Sequence, residues 1–340
     1  MESLDLRVLE DALAWRNAGH AVTLVTVVQT WGSAPRPPGA LLAVRDDGVV
    51  SGSVSGGCVE DDLIARTKAS FNAAGGNAAA LKSPAMITYG VTQEEASRFG
   101  LPCGGTLRLV QEPLRDTAWV AELLTRTADH ELVARTLVLS TGAVRLSSAV
   151  RGQAMQFDGS TLSTVFGPKW RLLLIGAGQL SQAVARMAAM LDFEVLVCDP
   201  REEYAAALGN GSHGLAGVRR IAGMPDDVVR ELVPDAHTAI VALTHDPKLD
   251  DMALLEALQS NAFYVGALGS RRNQAARKQR LAEHFGLSAP ELARLHGPVG
   301  LALGARTPAE IAVSIVAEML QVKNSAAHGA ATASNEAALT

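Results

Sequence analysis

KWRLLLIGAGQLSQAVARMAAMLDFEVLVCDPRE, residues 169–202, decides the fold of the second half of this chain. Leu172–Ile175 is a short apolar run of the kind that forms a buried strand, and Gly176–Gly178 follows it as a tight turn. Apolar residues then recur at helical spacing, and a second apolar run ends at Asp199. Strand, glycine turn, helix and strand in this order predict a unit whose two strands are parallel.

The alternation of strands and helices continues toward the C-terminus. The sequence predicts a helix after Pro225, a strand at 237–243, a helix at 249–260 and a strand at 263–268. Such alternation predicts right-handed crossovers, and therefore a Rossmann-like, doubly wound parallel sheet over residues 168–322.

The first half mixes helices and strands without this alternation. A helical pattern stops at Gly19, the β-branched run at 20–30 predicts a strand, and further strand and helix patterns follow. We therefore predict an α/β protein with an N-terminal α+β domain at 1–150 ahead of the Rossmann-like domain. The small polar residues of 323–340 predict a disordered tail.

Composition excludes several classes of protein. The net charge is −5 and only 4% of residues are aromatic, so the chain offers neither a basic surface nor stacking residues for nucleic acid. No apolar run reaches the ~20 residues that a membrane span needs, and no signal-peptide pattern precedes the first helix. The three cysteines form neither an even disulfide set nor a C-x-x-C pair. We expect a cytoplasmic protein with free thiols and no nucleic-acid or membrane partner.

The glycine turn is a candidate phosphate-binding site. Gly176 permits the tight turn, while Gly178 and Gln179 open a helix whose N–H groups favour an anion. Asp199 lies where a dinucleotide fold places the acid that binds a ribose. Ser181 stands in the third glycine position, so the fingerprint is incomplete. Close packing of strand and helix is the alternative reason for the glycines.

Two later loops also follow predicted strands, and the carboxyl ends of parallel strands border the ligand crevice. Their candidate contacts are Thr244, His245, Asp246, Gly269, Ser270, Arg271 and Arg272. The arginine pair can clamp a phosphate, or it can be a solvated helix start. His245 fits a ligand contact or a helix cap better than a general base. In the role of a base, its imidazole would have Asp246 beside it.

Two cysteines stand against glycines rather than among apolar residues. Cys58 follows two glycines and precedes three carboxylates, and Cys103 is followed by two glycines. Cys58 is predicted to open a helix, where the N-terminal field lowers a thiol pKa while the nearby carboxylates oppose that effect. An inert buried thiol is the alternative for both. Cys198, inside an apolar strand, is predicted to be a core residue.

The order of several motifs resembles the XdhC/CoxI family of molybdoenzyme maturation factors. In the first half the matching residues are Gly32-Ser33-Ala34-Pro35-Arg36, Pro38-Gly39, Gly52-Ser53, Ser55-Gly56-Gly57-Cys58-Val59-Glu60 and Cys103-Gly104-Gly105. In the second half they are Gly176-Ala177-Gly178, Thr244-His245-Asp246, Gly266-Ala267-Leu268-Gly269-Ser270 and Thr307-Pro308-Ala309-Glu310-Ile311-Ala312. The glycine turn alone is a weak signal, whereas the joint order of these motifs is specific.

The resemblance implies a chaperone that is not itself an enzyme. Such a protein binds and protects molybdenum cofactor (molybdopterin), supports its sulfuration, and inserts it into a client molybdenum hydroxylase like xanthine dehydrogenase. It also implies a cysteine desulfurase as a second partner and leaves open the plain pterin or the dinucleotide form of the cofactor. Cys58 and Cys103 become candidate molybdenum or sulfur contacts, and Arg36 becomes a candidate cofactor contact of the same domain. A homodimer is compatible with the sequence.

Two rival functions use the same fold. An NAD(P)-dependent oxidoreductase would place Asp199 on a ribose and use His245 as its base, but it leaves the SGGCVE motif unexplained. A regulatory nucleotide-binding module would need neither thiol.

Overall fold

The computed structural model describes residues 3–30, 36–73, 83–90, 106–150, 153–205 and 217–337. The chain divides into two compact units, Met1–Pro168 and Lys169–Thr340. Each unit has its own sheets and its own apolar core clusters.

In its described residues, the first unit begins with a five-stranded antiparallel sheet and two helices. The helices are α1 Ser3–Asn17 and α2 Cys58–Ala73. The strands are β1 Val22–Thr30, β2 Leu41–Arg45, β3 Val50–Gly52, β4 Ala85–Tyr89 and β5 Leu107–Pro113. They pair in the order β3-β2-β1-β5-β4.

Strand β1 is apolar along most of its length because both faces of the sheet are covered. Successive side chains of a strand point to opposite faces. Val22 and Leu24 accordingly pack in a core cluster with α1, whereas Val25 and Val27 pack in another with α2. This double burial explains the β-branched run in the sequence.

A second antiparallel sheet completes the first unit. Helix α3 spans Ala118–Ala128, and the strands are β6 Val133–Val138, β7 Val144–Ser148, β8 Gln156–Phe157 and β9 Thr161–Phe166, in the order β7-β6-β9-β8. The first unit runs to Pro168 and therefore includes β9, which lies beyond the range 1–150 predicted for the N-terminal domain. Strand β9 pairs with the whole of β6, and the pairing buries Leu162 and Phe166.

The second unit is a six-stranded parallel sheet with helices on both faces. Its strands are β10 Arg171–Ile175, β11 Glu194–Cys198, β12 Val218–Ile221, β13 Thr238–Ala242, β14 Tyr264–Ala267 and β15 Leu295–His296. Its helices are α4 Gln179–Met190, α5 Glu202–Ala205, α6 Pro225–Leu232, α7 Pro247–Gln259, α8 Arg271–Phe285, α9 Ala289–Ala293 and α10 Pro308–Ala337. The sheet order is β12-β11-β10-β13-β14-β15.

This architecture confirms the predicted α+β and Rossmann-like halves. Leu172 and Leu174 of β10 pack toward α4 and α10, while Leu173 and Ile175 pack toward α6, α7 and α8. A parallel sheet covered on both faces needs strands that are apolar throughout. That requirement is why the apolar run Leu172–Ile175 predicts a buried strand from the sequence alone.

The C-terminal segment differs from its prediction. Helix α10 continues to Ala337, through residues that the sequence analysis placed in a disordered tail. This segment is rich in alanine, the best helix former, and contains no proline that would end the helix. In the described residues, no helix is both long enough and apolar enough to cross a membrane.

Candidate functional site

The candidate site of the second unit lies where the sheet order reverses direction. Strand β10 stands between β11 and β13, so the connections that follow β10 and β13 diverge at the carboxyl edge of the sheet. The glycine turn follows β10, and Thr244 lies just beyond β13. The two touch, because a Cβ built on Gly176 would lie 3.0 Å from Thr244 Cα. Open parallel sheets bind ligands at such a point.

The two turn glycines serve different purposes. Gly176 has φ +104°, a conformation that favours glycine, and its N–H donates to Cys198 O at 2.7 Å. Gly178 has an ordinary φ of −69° and caps α4, and an added Cβ would meet no atom within 4 Å. The conformation of the turn thus depends on Gly176, whereas Gly178 keeps open the space in front of the helix N-terminus. Gln179, the first residue of α4, is exposed beside this space.

Asp199 supports the turn. Its Oδ2 accepts the Ala177 N–H at 2.9 Å, and its two oxygens accept Nε and Nη2 of Arg201, each at 2.9 Å. Burial raises the pKa of Asp199, but the hydrogen bonds from Arg201 and Ala177 outweigh it and lower the pKa overall. The carboxylate is 1% exposed. Both oxygens are engaged, so this geometry does not present Asp199 to a ribose as the sequence predicted.

Arg201 is a candidate contact that the sequence analysis missed. Its Cζ lies 4.2 Å from the centre of the Tyr204 ring, and its side chain is 27% exposed. The hydrogen bond to Asp199 raises its pKa most, and the charge of Asp246 in the next loop contributes. A guanidinium thus stands at the carboxyl edge of β11, linked through Asp199 to the glycine turn. The available signal was its place two residues after Asp199.

A buried carboxylate, that of Asp250, accepts hydrogen bonds from the loop after β13. Asp250 Oδ1 accepts the Thr244 N–H at 3.2 Å and the Thr244 hydroxyl at 2.7 Å. Thr244 Oγ1 also accepts the Asp246 N–H at 2.9 Å. Asp246 in turn caps α7 by accepting the Lys248 N–H at 2.9 Å. Thr244 and Asp246 are therefore engaged in shaping the loop.

His245 is the exposed residue of that loop. It has a left-handed φ of 61°, which non-glycine residues adopt infrequently. Its neighbours Thr244 and Asp246 are turned into the loop, so the imidazole is the side chain that this loop presents to solvent. The arrangement agrees with a contact role and offers His245 no carboxylate that would orient it as a base within the described residues.

The loop after β14 brings two arginines to a helix start. Gly269 has φ +144°, and Ser270 caps α8 by accepting the Asn273 N–H at 3.2 Å. Arg271 and Arg272 are exposed in the first turn of α8, which carries no acidic residue. Cations at a helix N-terminus oppose the helix dipole. Both the phosphate contact and the solvated helix start fit this placement.

A buried ionic network joins the loops after β13 and β14. Arg277 of α8 donates Nη2 to Asp250 at 3.1 Å, Nε to Asp251 at 2.9 Å and Nη1 to Leu268 O at 3.1 Å. Burial raises the pKa of Asp250, against the opposing effects of Thr244 and Arg277. One guanidinium thereby fixes the spacing of the two loops. The sequence offered only the pair Asp250-Asp251 as a signal.

In the first unit, Glu60 organises the loop that precedes Cys58. Its carboxylate accepts six hydrogen bonds: from the hydroxyls of Ser53 and Ser55, and from the N–H groups of Val54, Ser55, Gly56 and Gly57. The four N–H donors lie 2.7–2.9 Å from Oε1 or Oε2. Burial raises the pKa of Glu60, but these hydrogen bonds outweigh it and lower the pKa to about 2. The polar groups of residues 53–57 thus bond to the carboxylate of Glu60, a few residues further along the same motif.

The remaining predicted site residues fall in different places. Cys58 begins α2, as predicted, but its side chain lies outside the described residues, as does the whole of Cys103. Arg36 Nη2 lies 3.6 Å from Asp5 Oδ1 within the first unit. Cys198 is fully buried, which confirms its prediction, and burial raises its pKa to about 12. Among the described side chains, no three of His, Cys, Asp and Glu cluster as a metal site.

The TPAE motif has a structural role. Glu310 accepts the N–H groups of Arg306 at 2.8 Å and Thr307 at 3.0 Å, and its own N–H donates to Thr307 Oγ1 at 3.3 Å. This reciprocal pattern is a capping box at the start of α10.

Two family models match the chain, one in each unit. The model described as the XdhC and CoxI family matches residues 15–82, and the model described as the XdhC Rossmann domain matches residues 172–319. The first span includes Cys58 and Glu60, and the second includes the glycine turn with the two loops beside it.

Proteins of similar sequence extend along nearly the whole chain. The molybdenum cofactor insertion chaperone PaoD of Escherichia coli K12 is 28% identical over 332 residues, which cover 93% of this chain and 88% of PaoD. A probable xanthine dehydrogenase subunit from Bacillus subtilis 168 is 30% identical over 325 residues, which cover 88% of this chain and 92% of that protein. A crystal structure of a xanthine dehydrogenase from Bacillus halodurans has the same fold, with a TM-score of 0.74, 23% identity and 96% coverage of both chains.

Proposed function

This chain belongs to the XdhC and CoxI family, and on that premise we propose that it binds molybdenum cofactor and inserts it into a xanthine dehydrogenase-like molybdenum hydroxylase. The observation that carries the proposal is the similarity to PaoD, which spans both units. The cofactor is cargo in this proposal, and the client hydroxylase performs the turnover.

The second unit supplies a fitting place for the phosphate end of the cargo. Gly178 leaves the N-terminus of α4 open, and helix N-termini favour phosphate. Arg271 and Arg272 stand at the start of α8, and Arg201 stands at the edge of β11, where its Nε and Nη2 already donate to Asp199. Guanidinium groups bind phosphate through paired N–H donors. We assign the phosphate, in either the pterin or the dinucleotide form of the cofactor, to this edge of the sheet.

The first unit supplies the candidate thiols. Cys58 begins a helix directly after a loop whose N–H groups donate hydrogen bonds to the Glu60 carboxylate. A thiolate is a soft ligand suited to a metal–sulfur centre. We assign to Cys58 and Cys103 the molybdenum or sulfur contact during sulfuration, with a cysteine desulfurase as sulfur donor. Arg36 keeps the weaker assignment of a neighbouring contact because it already pairs with Asp5.

The rival function is an NAD(P)-dependent oxidoreductase on the same sheet. It would need Asp199 for the ribose, but both oxygens of that carboxylate already accept hydrogen bonds from Ala177 and Arg201. It would need His245 as a base, but no carboxylate orients His245 within the described residues. The contacts of Asp199 and the surroundings of His245 therefore weigh against the oxidoreductase.

The test begins with the protein purified from a molybdenum-replete host. We expect bound molybdenum by elemental analysis and pterin fluorescence after release. The Gly178→Val variant should retain its melting temperature and lose at least about tenfold in cofactor retention, since the new side chain fills the space in front of the helix. Tight NAD(P) binding with steady NAD(P)H consumption and no pterin would replace the chaperone with the oxidoreductase.

The second arm measures delivery. A molybdenum hydroxylase is expressed with and without this protein, and its specific activity and sulfurated molybdenum are compared at equal hydroxylase protein. We expect both to rise with the unaltered chain and to stay low with Gly178→Val. Equal values across several candidate clients would contradict insertion, and equal sulfuration with higher molybdenum would remove only the sulfuration step. A Cys58→Ala variant that folds but fails in sulfuration would support the thiol assignment.

A further inference from the structure

A cavity of about 170 Å³ lies in the first unit, apart from the Glu60 loop and from the glycine turn. It opens between the end of α1, the middle of α2 and the start of β1, with β5 and the residues after it on the far side. Its size exceeds the ~150 Å³ of an engineered cavity that accommodates benzene. The cavity can therefore hold a small ligand but not a dinucleotide.

Three arginines line this cavity: Arg16 from α1, Arg66 from α2 and Arg115 from the segment after β5. Among its described lining residues, none is aspartate or glutamate. Guanidinium groups from three elements, in a cavity whose described lining holds no carboxylate, provide N–H donors that suit an oxyanion.

Arg16 and Arg66 have N–H donors beyond the contacts that they make. Arg16 donates Nη1 to His20 O at 2.8 Å, but its Nε is buried without a hydrogen-bond partner in the described residues. Buried N–H donors rarely stay unsatisfied. Arg66 is 54% exposed, and its Nη1 lies 3.7 Å from Asp62 Oδ2, which is a loose pair one helical turn away. More than half of the Arg66 side chain is exposed, so it has N–H donors beyond this pair.

The other lining groups match an oxyanion that carries a small apolar substituent. Thr67 and Ser70 on α2 provide hydroxyls, and Phe71, Val22 and Leu114 provide apolar surface. Ligand pockets typically combine such apolar walls with a few convergent polar groups. The arginine fork geometry matches the paired oxygens of phosphate, and three cations match its double charge better than the single charge of a carboxylate.

We propose that this arginine cavity is a second anion site, which binds a small phosphate monoester independently of the glycine turn. The ligand's phosphate lies among Arg16, Arg66 and Arg115, and its substituent lies against Phe71. The cavity would bind this ligand whether or not the chain carries molybdenum cofactor.

The experiment separates this site from the glycine turn. The full chain carrying Gly178→Val is titrated calorimetrically with phenyl phosphate and with inorganic phosphate, against chloride at the same ionic strength. We expect saturable binding of one phosphate group, with phenyl phosphate the tighter ligand. Adding Arg16→Gln and Arg66→Gln should weaken the binding at least about tenfold. Arg7→Gln, an exposed arginine on the same helix, is the matched control and should change nothing.

Footprinting of the unaltered chain with phenylglyoxal, which modifies arginine, adds a site-resolved measurement that needs no folded variant. Phosphate should protect the peptides that contain Arg16, Arg66 and Arg115, and should leave Arg7 unprotected. Absence of binding in the Gly178→Val chain, unchanged affinity in the double arginine variant, or protection at none of the three arginines would each overturn the proposal. None of these outcomes bears on whether the unaltered chain carries molybdenum cofactor, so the two proposals fail separately.

Discussion

Neighbouring glycines of one turn face opposite constraints. Gly176 lies at φ +104° with Thr244 Cα at 3.0 Å from the place of a Cβ, whereas Gly178 has an ordinary φ and free space around it. Only Gly176 is therefore needed for folding. Gly178 is free to serve the ligand, which separates the stability of the turn from its binding role.

We expect Gly176→Ala to lower the free energy of unfolding by about 2–4 kcal/mol, through the strained backbone and the contact with Thr244. Gly178→Ala should lower it by no more than about 1 kcal/mol, the cost of replacing a glycine N-cap by alanine. Urea denaturation of both variants measures the difference. Equal damage from the two substitutions would show that the space at Gly178 is not open.

A second feature at the residue scale is the carboxylate of Glu60, which accepts hydrogen bonds from the polar groups of the SGGCVE motif. We expect Glu60→Gln to speed amide hydrogen exchange at residues 54–57 by about tenfold or more, because charge-assisted hydrogen bonds are replaced by weaker ones. Asp61→Asn removes the same charge from an exposed neighbour and should leave this exchange unchanged.

The pH dependence of the Glu60 loop follows from the lowered pKa. The folded pKa is about 2, below the ordinary value of 4.5, so the stabilisation is complete above about pH 4.5. It is lost as the pH falls from there toward 2. Loosening of residues 54–57 that sets in above pH 6 would contradict this assignment to Glu60.

At the scale of elements, the loops after β13 and β14 are spaced by α8 through Arg277. Breaking a buried ion pair by removing one partner leaves an uncompensated charge, which costs about 3–5 kcal/mol. We expect that loss for Arg277→Met. Arg280→Met is the matched control: Arg280 is 40% exposed, and its partner Asp251 retains Arg277, so the loss should be below about 1 kcal/mol.

The Arg277 variant should also become pH-dependent in a defined direction. The pKa of Asp250 is already raised by burial, and removing Arg277 raises it further. A folded state with a raised carboxyl pKa binds more protons than the unfolded state, so its stability rises as the pH falls. The loss caused by Arg277→Met should therefore be smaller at pH 5 than at pH 8 in urea denaturation. A loss independent of pH would indicate packing rather than charge.

At the scale of the whole molecule, the chain carries two units with separate cores. Units of about 170 residues are large enough to fold alone. We expect the fragments 1–168 and 169–340 each to unfold cooperatively, and the second fragment to keep the phosphate site of the glycine turn. Urea denaturation with phosphate titration measures both properties. A second fragment without a cooperative transition would contradict the independence of its core.

The fold of the second unit was predictable because its signals are local. An apolar strand, a glycine turn and an amphipathic helix follow one another within 34 residues, and alternation then dictates a parallel sheet. The first unit was predictable in its elements but not in its boundary, since β9 is held by pairing with β6 across intervening chain. The terminal helix was missed because small residues suit both a tail and a helix.

Sequence alone determined the family, the α+β and Rossmann-like halves and the residues at the carboxyl edge of the second sheet. Only the tertiary structure decided what those residues do: Asp199 holds Ala177 and Arg201, and Asp250 holds Thr244 while Arg277 spaces two loops. The arginine cavity likewise gathers residues from four separate parts of the chain. Motifs depend on spacing along the chain, whereas the partner of a carboxylate or guanidinium depends on strand order and helix packing, which bring distant residues within hydrogen-bonding distance.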